Sequence, residues 1–102
     1  MVDSILEKRD HIISACSRHR VARLHVFGSA LSPDYVPGKS DIDFLVDFVP
    51  MEPSDLVEAY FGLLDDLRGI VGGAVDLVMV GAVKNHYIAG EIENTKQLLY
   101  AS

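Results

Sequence analysis

Two apolar runs, Val21 to Phe27 and Ile42 to Phe48, are separated by a loop containing Pro33, Pro37 and Gly38, and each ends at residues suited to chemistry. The first closes on Phe27-Gly28-Ser29, and the second opens with Ser40-Asp41-Ile42-Asp43. Side chains alternate along a strand, so Asp41 and Asp43 share a face about 6.6 Å apart while Ile42, Phe44, Val46 and Phe48 share the other. One face of this strand is therefore a core face, and the other begins with two carboxylates. Two anions so close repel, and without a partner they would tend to hold a proton. A hard cation removes the conflict, because Mg²⁺ favours one or two carboxylates together with phosphate oxygens and water.

The first run supplies a phosphate side. A glycine at a strand end lets backbone approach a ligand closely, and Ser29 adds a hydroxyl beside N–H groups that face an anion wherever a helix begins. Taken singly, Gly28-Ser29 reads as an ordinary strand-to-helix turn and Asp41/Asp43 as a solvated strand entrance. Together, in this order and eleven residues apart, they point to one site for a phosphate and a metal.

Phe27-Gly28-Ser29 followed by Asp41-Ile42-Asp43 resembles the Gly-Ser to Asp-x-Asp signature of the nucleotidyltransferase superfamily with the DNA polymerase beta palm fold. The short length and the ending from Asn85-His86-Tyr87-Ile88 to Leu98-Leu99-Tyr100 look most like the minimal nucleotidyltransferases, antitoxin partners of HEPN-domain toxins. Where many members carry an arginine and a second glycine after Gly-Ser, this chain reads Ala30-Leu31-Ser32-Pro33.

The resemblance implies that Gly28 and Ser29 hold the β,γ-phosphates of ATP. Asp41 and Asp43 would bind two Mg²⁺ ions, with Asp76 completing the set and helping to deprotonate the attacking hydroxyl. It further implies transfer of AMP to a tyrosine of a HEPN toxin, with pyrophosphate released, in a hetero-oligomer with that toxin. The alternative expectation is a non-catalytic antitoxin of the same fold that acts by covering its toxin. A small metal- or nucleotide-sensing module is a third.

With 102 residues, the chain is expected to be one domain, residues 1–102, burying about two thirds of its unfolded surface. Hydrophobic residues make up 49% and charged residues 24%, a globular balance. A net charge of -6 argues against a standing nucleic-acid-binding role, which needs a basic face. The single Cys16, with no signal peptide or long apolar span in view, makes the cytoplasm the expected compartment and gives no reason to expect membrane association.

In chain order, Ser4 and Glu7 form a capping-box pattern, and Ile5, Leu6, Ile12, Ile13 and Cys16 at three and four spacing predict an amphipathic helix over 3–18. Cys16 falls on the apolar stripe and reads as a buried thiol. The basic cluster Arg18, His19, Arg20, Arg23 and His25 is explained in part by a helix C-terminus. Ala22, Leu24 and Val26 are expected on one face of the first strand, and Lys39 reads as a solvated loop cation able to stand in partly for the absent arginine. Asp47 lies about 13 Å along the strand from Asp43, too far to share its metal, and reads as a solvated strand end.

Pro53 opens a helix carrying Leu56, Tyr60, Leu63, Leu64 and Leu67, with Glu58, Asp65 and Asp66 on its wet face and Gly69 at its end. Gly72-Gly73 turns into a strand from Val75 to Val80. Asp76 is the one charge in that apolar run, and burying it without a partner would be costly, which favours a functional role. Asn85 is the expected cap of a last helix, His86 reads as a surface residue, and Gln97 to Ala101 as a final strand. This order predicts an α/β (α+β) fold, a polymerase beta-like palm whose mixed sheet of about four strands carries helices mainly on one side.

Overall fold

A computed structural model describes residues 3–28, 41–82 and 84–102, without the side chains of Asp3, Ser4 and Ile88. The side chain of Ser4, expected as a helix cap, and Ser29 and Lys39, expected near a phosphate, therefore lie outside the described residues. The elements run α1 (Asp3–Glu7), α2 (Arg9–Arg18), β1 (Val21–Phe27), β2 (Ile42–Phe48), α3 (Pro53–Val71), β3 (Val75–Met79), α4 (His86–Thr95) and β4 (Gln97–Ala101).

The four strands form one mixed sheet in the order β3-β2-β1-β4. β1 is antiparallel to both neighbours, whereas β3 runs parallel to β2, as a strand returning through the long α3 crossover must. On one face, α2 and α3 pack together and onto the sheet. Ile12, Ala15 and Cys16 from α2, with Ala59, Leu63, Leu64 and Leu67 from α3, meet Leu24, Val26, Phe44, Val46, Leu77 and Leu99 from the strands. The expected core face of β2 holds throughout: Ile42, Phe44, Val46 and Phe48 are all buried.

Four local expectations change. The single helix over 3–18 divides at Lys8, whose N–H bonds Ile5 O at 3.2 Å in a tighter turn. Ile5 and Ile12 both stay in the core across this break. In β1 the pairing with β2 shifts between Val21 and Arg23, so Ala22 is the extra residue of a bulge and Val21 takes the core position. α3 passes Gly69 and stops at Gly72, which has φ 71° and donates its N–H to Arg68 O, because a left-handed cap is what terminates a helix here. β3 ends at Met79, and Val80 is already in a turn, its N–H bonded to Val46 O at 2.9 Å.

The basic cluster is organised by ion pairs more than by a helix dipole. Asp66, expected on the wet face of α3, is reached by both Arg18 Nη1 and His19 Nε2 at 2.7 Å and clips α2 to α3. Gly62 makes room for this clip, since a Cβ there would stand 2.6 Å from His19 Cε1.

Candidate active site

The face of the sheet opposite α2 and α3 carries the polar chemistry, and strand register sorts it into rows. Phe27 pairs with Asp43, and Asp43 with Asp76, so the three form the first row across β1, β2 and β3. Leu98, His25, Leu45 and Val78 form the second. Arg23 and Asp47 lie in the third, joined by an ion pair of 2.6 Å.

Asp41 precedes β2 by one residue and is exposed, beside a ladder that opens with Ile42 N–H bonded to Ala74 O at 3.2 Å. Asp43 is half-buried in the strand. Gly28, directly after the partner of Asp43, has φ 71°, a conformation glycine adopts freely. A Cβ at Gly28 would collide with Asp43 Oδ2 and lie 3.3 Å from its Cγ, so backbone and carboxylate are in direct contact. The sequence placed Gly28 and Asp43 at two ends of one site, and the register joins them.

Asp76 reaches the same row for a different reason from the one its apolar neighbours suggest. Val75 and Leu77 point into the core while Asp76 alternates to the open face and is exposed, so no burial cost arises. β3 is braced by Tyr60, whose hydroxyl donates to Leu77 O at 2.6 Å, one residue from Asp76.

The donor chemistry fits a hard cation: two carboxylates opposed across adjacent strands, with a third, Asp41, two residues before Asp43 at the entrance to β2. Among the described residues, no three His, Cys, Asp or Glu side chains already converge on a single ion position. The backbone thus brings the carboxylates to one end of the sheet without closing them on one point.

Beyond this row, α4 crosses the open face and borders a half-open cavity of about 570 Å³. Leu45 and His25 form its floor, Ala89 and Ile92 its roof, and Val80 one edge. Asp47 is thus an ion-paired residue of the cavity instead of a solvated strand end. Burial pushes the His25 imidazole below its ordinary value, nearby Lys96 and Arg23 adding to this and Glu93 opposing it. Sequence reading missed this cavity, and the available signal was the alternation Arg23, His25, Phe27 beside Asp43, Leu45, Asp47. Cys16 lies on the other side of the sheet, fully buried, its thiol pushed up to about 12 by desolvation, which leaves it no part in the chemistry.

A mixed sheet backed by helices on one face, with paired carboxylates against a strand-ending glycine on the other, defines a nucleotidyl-transfer palm. Residues 9–99 match the family described as "Nucleotidyltransferase domain", and the chain belongs to that family as a nucleotidyltransferase. It is 37% identical over 99 residues to a protein of Methanocaldococcus jannaschii named "putative protein adenylyltransferase", covering 97% of this chain and 93% of that one. Its fold is similar to a chain in the crystal structure of a toxin–antitoxin complex with AMP-PNP, at TM-score 0.68 and 18% identity, covering 92% of this chain and 73% of the other. A chain in the complex of a tri-AMPylated Shewanella oneidensis HEPN toxin with an MNT antitoxin matches at TM-score 0.64 and 18% identity, covering 95% and 72%. No helix among the described residues is long and apolar enough to cross a membrane.

Proposed function

We propose that this protein is a Mg²⁺-dependent adenylyltransferase that moves AMP from ATP to a tyrosine hydroxyl of a HEPN-domain toxin, and so acts as the antitoxin in a complex with it. The observation that carries the reading is the first row of the open face, where Asp43 lies against the backbone of Gly28 and stands in register with Asp76 across the parallel pair. The relatives named for adenylyl transfer and for toxin–antitoxin complexes support the choice of AMP and of a protein acceptor.

In this reading the backbone at Gly28 and the Ser29 hydroxyl hold the β,γ-phosphates, and Asp41, Asp43 and Asp76 hold the metal. Two bound Mg²⁺ ions supply charge neutralisation for the entering and leaving oxygens of an in-line displacement. The acceptor oxygen bonds to the α-phosphorus, the bond from that phosphorus to the bridging oxygen breaks, and pyrophosphate leaves with the electron pair. Asp76 takes up the hydroxyl proton and passes it to solvent. A cytoplasmic location follows from the same reading, since ATP and an intracellular ribonuclease toxin would be its substrates.

The test is intact-mass spectrometry of a HEPN-domain toxin after incubation with this chain, ATP and Mg²⁺. An AMP-sized mass increase that is lost with Asp41→Ala/Asp43→Ala establishes the reaction. The segment Ala30-Leu31-Ser32-Pro33, without the usual arginine, favours a second reading as a blocking antitoxin. A stable complex that neutralises the toxin with no adduct, and equally well with the double variant, would select it.

A further inference from the structure

Among the described residues, β3 is bonded into the sheet along one side only, and it is the strand that carries Asp76. Ile42 N–H bonds Ala74 O at 3.2 Å and Val80 N–H bonds Val46 O at 2.9 Å, so the even-numbered residues from 74 to 80 turn their backbone groups toward β2. Alternation in the parallel ladder turns those of Val75, Leu77 and Met79 outward, away from the sheet. A strand fixed along one ladder can rock about it, and rocking swings any side chain that stands on its open face. On β3 that side chain is Asp76.

Tyr60 closes the outer edge at the middle of this strand. Its hydroxyl, carried by α3, donates to the outward Leu77 carbonyl at 2.6 Å, toward the short end of the range for an O–H···O bond. The ring that delivers the hydroxyl is itself held. It is half-buried, packs against the core, and meets Phe61 edge-on with centroids 5.2 Å apart and planes at 90°. Asp76 is thus tied to β2 through its own backbone, and the next residue is tied to α3 on the opposite side.

We propose that Tyr60 is a positioning residue for the metal site, setting through the Leu77 carbonyl the angle at which the Asp76 carboxylate faces Asp43. This rests on the reading of Asp76 as a metal ligand, and Tyr60 acts only through the strand. The site itself calls for such a brace. Among the described residues the carboxylates reach one end of the sheet without converging on a single ion position, so an arriving cation depends on where each one starts. Functional side chains of this kind must be held within about 0.5 Å and 10–20° of their working geometry. An aspartate on an unbraced edge would have to be ordered by the ion, at a cost in affinity.

The test is a double-mutant cycle read by metal-dependent binding instead of activity. For each protein, the Kd of a fluorescent, non-hydrolysable ATP analogue is measured in EDTA and in Mg²⁺, and the ratio gives the gain that the metal supplies. Tyr60→Phe, which removes the hydroxyl and keeps the ring, is made in wild type and in Asp76→Asn. It is expected to cut the gain about fivefold in wild type and less than about twofold in Asp76→Asn, with the Kd in EDTA unchanged. Phe61→Leu, which keeps the hydroxyl and loosens the ring, should act in the same direction but less, and urea unfolding reports that every variant is folded. A gain cut equally in both backgrounds would make Tyr60 a general support of the fold and overturn the proposal. An unchanged gain in both Tyr60→Phe and Phe61→Leu would overturn it as well, leaving the hydroxyl a cap on the strand edge. Failure of the underlying reading looks different: if Asp76→Asn alone keeps the wild-type gain, Asp76 is not a metal ligand, and the proposal falls with that assignment.

Discussion

At Gly28 a single missing methyl group does two things: it permits φ 71° and it lets the backbone lie against the Asp43 carboxylate. Gly28→Ala is expected to cost about 1–2 kcal/mol in unfolding free energy from the left-handed backbone alone. Its larger effect falls on catalysis, because the new methyl displaces the carboxylate. Urea unfolding beside initial rates checks this, and a variant that loses stability while keeping its full rate would contradict the assigned role. These two residues were legible in the sequence because a glycine ending one strand and alternating aspartates opening another are local signals. His25 was not, since its surroundings come from α4, far along the chain. Burial, reinforced by Lys96 and Arg23, holds its folded pKa below the ordinary value near 6.5, with Glu93 opposing. As pH falls the unfolded chain therefore takes up the proton first. The contribution to stability is complete above about pH 6.5 and is lost as pH drops through the folded value. His25→Gln should flatten that slope, so that the loss of stability between about pH 7.5 and about pH 5.5 becomes smaller than in wild type when followed by urea unfolding. An equal slope would mean that His25 is not the group responsible.

Among the elements, most strands and helices follow from periodicity, and the departures have identifiable causes. The Ala22 bulge was hidden because inserting one residue changes the face without changing composition. The end of α3 moved from Gly69 to Gly72 because two glycines near the terminus look alike in sequence and only one adopts the left-handed cap. The clip between α2 and α3 depends on helix packing, so Asp66 looked merely solvated until Arg18 and His19 closed on it. Gly62 provides its test. Alanine within a helix is ordinarily better than glycine by about 1 kcal/mol, yet here the added methyl meets the His19 ring at 2.6 Å. Gly62→Ala is therefore expected to bring little or no gain in wild type but most of that 1 kcal/mol in a His19→Ala background, a coupling read by a double-mutant cycle. Equal gains in both backgrounds would show that the ring yields at no cost.

For the molecule as a whole, the proposed site depends on β3 returning parallel to β2 in a register that sets Asp76 opposite Asp43. No local pattern encodes that register, since it depends on how α3 crosses the sheet, so the sequence identified Asp76 as a candidate without showing which row it joins. The same register leaves like charges facing one another in a chain of net charge -6. Like charges directly opposite on a sheet are destabilising, so Asp76→Asn is expected to raise the unfolding free energy in EDTA by on the order of a few tenths of a kcal/mol. With Mg²⁺ and a non-hydrolysable ATP analogue the order should reverse. Ligand at a hundred times its Kd stabilises the native state by about 2.7 kcal/mol, and wild type alone should receive most of this. Urea unfolding of both proteins under both conditions tests the crossing, because a merely structural Asp76 would shift the two conditions equally. If Asp76→Asn is no more stable than wild type in EDTA, or gains as much from Mg²⁺ and nucleotide, Asp76 does not belong to the metal site.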